Sequence, residues 1–103
     1  MNRYTVEEYT ITRRDGGRWD DQSARDVREF ETLEEARAAF EAADVRGRWL
    51  GERAASNPQL VRRKVMAAEL CENELDEDGE AIESEIVEYK EYGAEDHARE
   101  EER

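Results

Sequence analysis

The chain has 103 residues and carries 29 acidic against 16 basic side chains, a formal charge of −13. That length holds a single domain. One cysteine excludes an internal disulfide and fits a reducing compartment, and no apolar run approaches the roughly 20 residues of a membrane span. Fifteen of the acids come after Cys71, against Lys90, Arg99 and Arg103, so residues 72–103 hold a balance of −12 and the first 71 residues a balance of −1. A one-sided charge field acts on partners rather than on the fold. It repels nucleic acid and favours a basic protein surface.

Material for a core is thin. Leu, Ile, Val and Phe total 16 residues, below the roughly 20 % under which a highly charged chain tends to disorder. Thirteen alanines and eight aromatic residues compensate in part. A small folded domain over 1–92 is expected, then an acidic flexible tail over 93–103. No signal-peptide pattern precedes the first polar residues, so the expected location is cytoplasmic.

In chain order, residues 4–12 are rich in β-branched and aromatic types and read as a strand. By strict alternation Tyr4 and Val6 share one face and Tyr9 and Ile11 the other. A bulge at Glu7-Glu8 would restore a single apolar face. Asp15-Gly16-Gly17 marks a turn, and a weaker strand comes next around Arg25–Glu31, with Val27 and Phe30 its large apolar residues.

Thr32-Leu33-Glu34-Glu35 is a capping box. Leu33, Ala36, Phe40 and Ala43 stand at helical spacing, which predicts a helix from Leu33. Gly47 and Gly51 each cost a helix about 1 kcal/mol, so a break near Val45–Gly47 is expected, with a second short helix up to Ala55. Ser56-Asn57-Pro58 ends it.

The segment 59–75 fits either a helix, with Pro58 in its first turn, or a strand. The adjoining turn decides for the strand: Leu75-Asp76-Glu77-Asp78-Gly79-Glu80 suits a three-residue hairpin loop with Gly79 in the left-handed position. Opposing Asp76 and Glu80 pairs Leu70 with Ile86 and Ala67 with Tyr89, and sets Met66 against the stem of Lys90. The result is a hairpin of 64–75 and 80–92. The fold class is α+β: a small ββαββ domain, an antiparallel sheet with one main helix on one face and an acidic disordered C-terminal tail. The predicted core is Leu33, Ala36, Phe40, Met66, Leu70, Ile82 and Ile86, joined by Tyr4 or Val6 and by Tyr9 or Ile11 according to the bulge.

Catalytic signatures are sparse. Nucleophilic catalysis needs a base held beside Ser, Thr or Cys, and the one histidine, His97, falls in the polar tail. There is no Gly-rich phosphate loop and no Cys–His cluster for zinc. An enzyme is not expected, and no cofactor is implied. Glu74, Asp76, Asp78, Gly79 and Glu85 occupy positions 1, 3, 5, 6 and 12 of an EF-hand loop. Position 1 is Glu rather than Asp, Ala81 stands at the usual aliphatic position, and the exit reads as a strand. An acidic hairpin turn accounts for the same residues without calcium, and no metal site is assigned. Cys71 reads as a small core hydrophobe, Trp19 as loop packing or an exposed contact, and Arg62-Arg63-Lys64 as solvated charge at a strand entrance.

Two functional readings remain. In the first, the chain is a small acidic interaction protein whose hairpin meets a basic partner through Asp76, Asp78, Glu80, Glu83, Glu85 and Glu88. Carboxylates spaced about 6.6 Å apart along a strand can act as a nucleic-acid mimic that inhibits a nucleic-acid-binding protein. In size and charge alone the chain is similar to small acidic proteins of phages and mobile elements that inhibit restriction or CRISPR nucleases. In the second, it is an accessory or scaffold domain whose acidity confers solubility; a homodimer is compatible with either. No membrane partner is implied.

Overall fold

The computed structural model describes residues 2–13, 21–23, 25–55 and 64–101. The elements in order are β1 (Asn2–Thr12), β2 (Asp21–Gln22), β3 (Asp26–Phe30), α1 (Leu33–Ala42), α2 (Val45–Ala55), β4 (Lys64–Leu75), β5 (Ala81–Tyr92) and α3 (Ala94–Glu101). All strand pairings are antiparallel. The sheet order is β2–β1–β4–β5, with β3 pairing β1 beyond β2 on the same edge. The ββαββ, α+β architecture is therefore present. Because β3 and β4 each run antiparallel to β1, they are parallel to one another, and the chain between them crosses over β1 as helix. The Gly16-Gly17 turn, Trp19, the Ser56-Asn57-Pro58 stop and Arg62-Arg63 lie outside the described residues.

β1 and β4 pair over eleven positions, from Asn2↔Glu74 to Thr12↔Lys64, without a shift. Alternation is strict, and the bulge expected at Glu7-Glu8 does not form. The reason is a second apolar cluster. Val6, Met66, Ala68, Leu70 and Tyr92 face the helices and pack with Ala36, Phe40, Ala43, Val45 and Trp49. Tyr9 and Ile11 are buried on the other face with Val65 and Ala67, so no slip of register is needed to shelter them.

The capping box behaves as its residues require. Thr32 Oγ1 accepts a hydrogen bond from the Glu35 amide at 3.2 Å, and Glu34 and Glu35 place negative charge on the first turn of α1, where the helix dipole favours it. The C-terminal turn holds no cation of its own. Lys90 supplies one from β5: its Nζ donates to the Phe40 carbonyl at 2.6 Å and lies 4.6 Å from the centre of the Phe40 ring. The helical break falls at Ala43–Asp44, slightly before the position expected, because Asp44 starts α2. Its carboxylate accepts from the Gly47 amide at 2.8 Å. A Cβ on Gly47 would collide with that carboxylate, which explains a glycine inside the helix.

The hairpin forms with Gly79 at φ +83°, and the expected register holds at the turn, where Leu75 faces Ala81. It then slips twice, between Glu74 and Leu75 and between Leu70 and Cys71. Ile82 and Val87 are the extra residues on β5. Leu70 therefore faces Glu88, and Met66 faces Tyr92. Met66 and Leu70 are buried as predicted, whereas Ile82 and Ile86, expected in the core, are 64 % and 58 % exposed. The bulges carry them off the packed face.

The polar segment expected to be a tail forms α3 and docks. The Gly93 amide donates to Asp96 Oδ2 at 2.9 Å. His97 then lies 5.3 Å from the Trp49 ring, centre to centre, with Nδ1 3.1 Å from the Tyr92 hydroxyl. Tyr92 also donates to Glu100 at 2.8 Å, and Glu100 pairs with Arg46 of α2 at 3.1 Å. Polarity alone suggests no structure here; contacts with Trp49 and Tyr92, outside the segment itself, supply it.

Helices of ten and eleven residues reach only about 15 Å, while the twelve-residue strands β4 and β5 span about 40 Å. The helical layer ends near Tyr4 and Leu33, which pack against its margin. Beyond them no helix among the described residues covers the hairpin. The radius of gyration, 15.7 Å, exceeds the roughly 13 Å of a compact chain this long.

Three substitutions test this packing by urea denaturation. Leu70→Ala should lower stability by about 3 kcal/mol, Thr32→Ala by about 1 kcal/mol, and Ile86→Ala by less than about 0.5 kcal/mol. A large loss at Ile86 would favour the unbulged register.

Candidate interaction surface

From Glu72 to Glu85 the chain has eight acids and no base. The hairpin folds four of them onto one patch. Glu72 faces Glu85 across the strands and Glu74 faces Glu83, and together with Asn2 they line a depression of about 180 Å³. Like charges directly opposed on a sheet are destabilising. The one described side-chain contact that eases the group is neutral: Asn2 Nδ2 donates to Glu72 at 2.7 Å.

Elsewhere on the sheet the glutamates are paired. Arg25 pairs with Glu7 and Glu69, Arg28 and Arg48 with Glu8, Arg37 with Glu88 at 3.7 Å, and Arg13 with Glu91 at 3.1 Å. Among the described residues, no ion pair reaches any acid between Glu72 and Glu85. Compensated and uncompensated charge thus divide along the length of the sheet.

Each residue singled out from the sequence now has a position. Asp76 is committed to the turn, where its Oδ1 accepts from the Asp78 and Glu80 amides, both at 2.9 Å. Asp78 and Glu80 are exposed around that turn, and Glu83 and Glu85 are exposed on β5. The bulge at Val87 brings Glu88 to the same face as Glu83 and Glu85 rather than the opposite one, beside Arg37. Glu91 and Glu69 occupy the other face. Glu72 joins the acidic patch through cross-strand pairing, which spacing along one strand does not reveal. Of the EF-hand positions, Glu74 and Glu85 lie in paired strands and Asp76 binds backbone amides.

The opposite face of the sheet holds a second group. Glu69, only 5 % exposed, accepts from the Cys71 thiol at 3.3 Å and pairs with Arg25 at 3.2 Å. The ligand atoms of Glu7, Glu69 and Cys71 lie within 4.8 Å of one another, and the Arg25 guanidinium is the cation they hold. It also covers the Tyr9 ring at 4.3 Å. Burial, reinforced by the Glu69 carboxylate, pushes the Cys71 thiol up to about 12 and raises Tyr9 above its ordinary value. Burial and then Glu91 push Tyr89 up to about 12. The thiol is therefore protonated at neutral pH, the opposite of an activated nucleophile.

No protein-family model matches the chain, and searches of curated proteins and of solved structures give no significant match. Among the described residues, no helix is long and apolar enough to cross a membrane.

Alkylation of Cys71 by iodoacetamide at pH 8 should be slow in the native protein and rapid after unfolding; fast native labelling would contradict the buried Glu69 contact. Cys71, Tyr9 and Tyr89 all have raised values in the fold. The stability they contribute is complete below their unfolded values and declines as pH rises through the folded ones. Unfolding measured by circular dichroism should therefore begin above about pH 9, in step with tyrosine ionisation.

Proposed function

We propose that the chain is an acidic docking domain whose hairpin end receives a cationic protein surface. The observation that carries this reading is the Glu72/Glu85 and Glu74/Glu83 pairing: four carboxylates in direct opposition, reached by no ion pair among the described residues. Natural folds separate such charges or neutralise them, and this one does so at its other end. A partner that brings Lys or Arg to the patch relieves the repulsion and gains the charge-assisted hydrogen bonds. Proteins with a groove built for nucleic acid present that surface, and the domain would occupy the groove as a nucleic-acid mimic and block it.

The test separates placement from net charge. A variant with Glu74, Glu83 and Glu85 all changed to Gln is compared with one carrying Glu31→Gln, Glu41→Gln and Glu95→Gln, which removes equal charge from sites elsewhere. Captured from lysate at low salt, a nucleic-acid-binding protein should be retained by the wild type and the second variant and lost by the first. The domain should also displace nucleic acid from that protein, and high salt should release the complex. Equal capture by both variants would reduce the acidity to a solubility feature, and a partner that keeps its nucleic acid would end the mimicry. The first variant should meanwhile be more stable than wild type by about 1 kcal/mol, from relief of the opposed pairs.

A further inference from the structure

β5 ends the sheet, and among the described residues nothing pairs with its outer edge. An unpaired edge offers a row of backbone donors and acceptors to any extended chain. The side chains beside this edge are sorted. Glu83, Glu85 and Glu88 lie on the helix side of the sheet, as their partners Glu74, Glu72 and Leu70 do. Ile86 and Tyr89 lie on the other side, opposite Cys71 and Glu69, and Ile82 and Val87 are the bulged residues. Ile82, Ile86, Tyr89 and Val87 are 64, 58, 45 and 38 % exposed, four of the five large apolar side chains left open to solvent among the described residues. Between Glu83 and Tyr89 the strand thus presents carboxylates on the helix side and Ile86 and Tyr89, with Ser84, on the other, where Glu91 follows beyond them.

Charge decides the occupant. A second copy pairing β5 against β5 would set the glutamate rows side by side, a repulsion added to the one already inside the hairpin. The bulges bend the edge and further discourage pairing with itself. A cationic segment meets the same bends but not the repulsion, and its cations answer the glutamate row. We infer that the outer edge of β5 takes up an extended segment of the basic partner as an added strand, one whose side chains alternate between Arg or Lys and aliphatic residues. Period-two alternation sends the cations to Glu83 and Glu85, and to Glu88 where Arg37 already lies, and the aliphatic groups to Ile86 and Tyr89. Main-chain hydrogen bonds supply affinity and the two rows supply selectivity. This rests on the docking role proposed above and specifies the partner's chemistry.

The probe is a peptide of about nine residues, the length of a well-formed strand, with Arg and Val in alternation. It is compared with an isomer in which the same residues form an Arg block and a Val block. Binding is measured by fluorescence anisotropy and located by amide hydrogen exchange. The alternating peptide should bind about tenfold more tightly than its isomer and slow exchange in β5. N-methylation of its alternate amides should abolish binding. Ile82→Ser with Ile86→Ser, both exposed and so compatible with folding, should weaken it about tenfold. Equal binding of the two isomers, with loss only in the Glu74, Glu83 and Glu85 to Gln variant, would overturn strand addition and leave acidic docking standing. Binding that is indifferent to that variant would overturn both. Protection confined to segments other than β5, or a concentration-dependent dimer that protects β5, would also overturn it.

Discussion

The uninterrupted ladder between β1 and β4 is the constraint on which the molecule depends. Eleven consecutive pairs fix the parity of both central strands, and parity decides which side chains meet the helices. Val6, Met66 and Leu70 fall on one side; Tyr9, Ile11, Val65 and Ala67 on the other. A slip of one residue would exchange the two sets and expose both. The chain has too few large aliphatic residues for one thick core, and the ladder divides them into two thin ones. Trp49, 2 % exposed, closes the larger. Its indole donates to the Lys64 carbonyl at 2.9 Å, fastening α2 to the start of β4, and it packs against the rings of Tyr92 and His97.

The helices are short and the strands long, so among the described residues the helical layer covers one end only. At that end arginines answer nearly every glutamate of the sheet, and Lys90 caps α1. At the other end hairpin geometry alone positions the carboxylates. The bulges at Ile82 and Val87 matter because each reverses parity along β5. They keep Glu83, Glu85 and Glu88 in one row and move Ile82 and Ile86 out of the core. An edge strand thereby acquires two chemically distinct sides.

Features encoded within a few adjacent residues are legible in the sequence: the Thr32–Glu35 box, the Asp76–Gly79 turn, the hairpin and the ββαββ order. Each is set by short-range sterics or hydrogen bonding. Features that depend on distant partners are not. Nothing near Tyr9 announces Val65 and Ala67, so alternation alone calls for a bulge that the fold does not need. Neither Ile82 nor Val87 carries a glycine or proline signal for a bulge. The docking of α3 depends on Trp49 and Tyr92, although Gly93 with Glu95 and Asp96 just after it resembles a helix start. Within the acidic surface, Asp78 and Glu80 can be placed from the turn alone, whereas the face that Glu83 and Glu85 take depends on the bulge at Ile82. The pairing of Glu72 with Glu85 and the neutralisation of Glu88 by Arg37 depend on register and on a helix from the other half of the chain.

The hairpin carboxylates without an ion pair among the described residues belong to a body 48 Å long, and such a patch acts on the orientation of the whole molecule. In a field the molecule experiences a torque as well as a pull. In the proposed docking role, a cationic surface would draw the hairpin forward before any side chain touches, over a range of about 8–10 Å at physiological salt. An elongated body that tumbled at random would present that tip in only a small fraction of collisions. Rotational alignment raises that fraction, so the shape and the charge asymmetry together determine how many encounters begin in the orientation that can succeed.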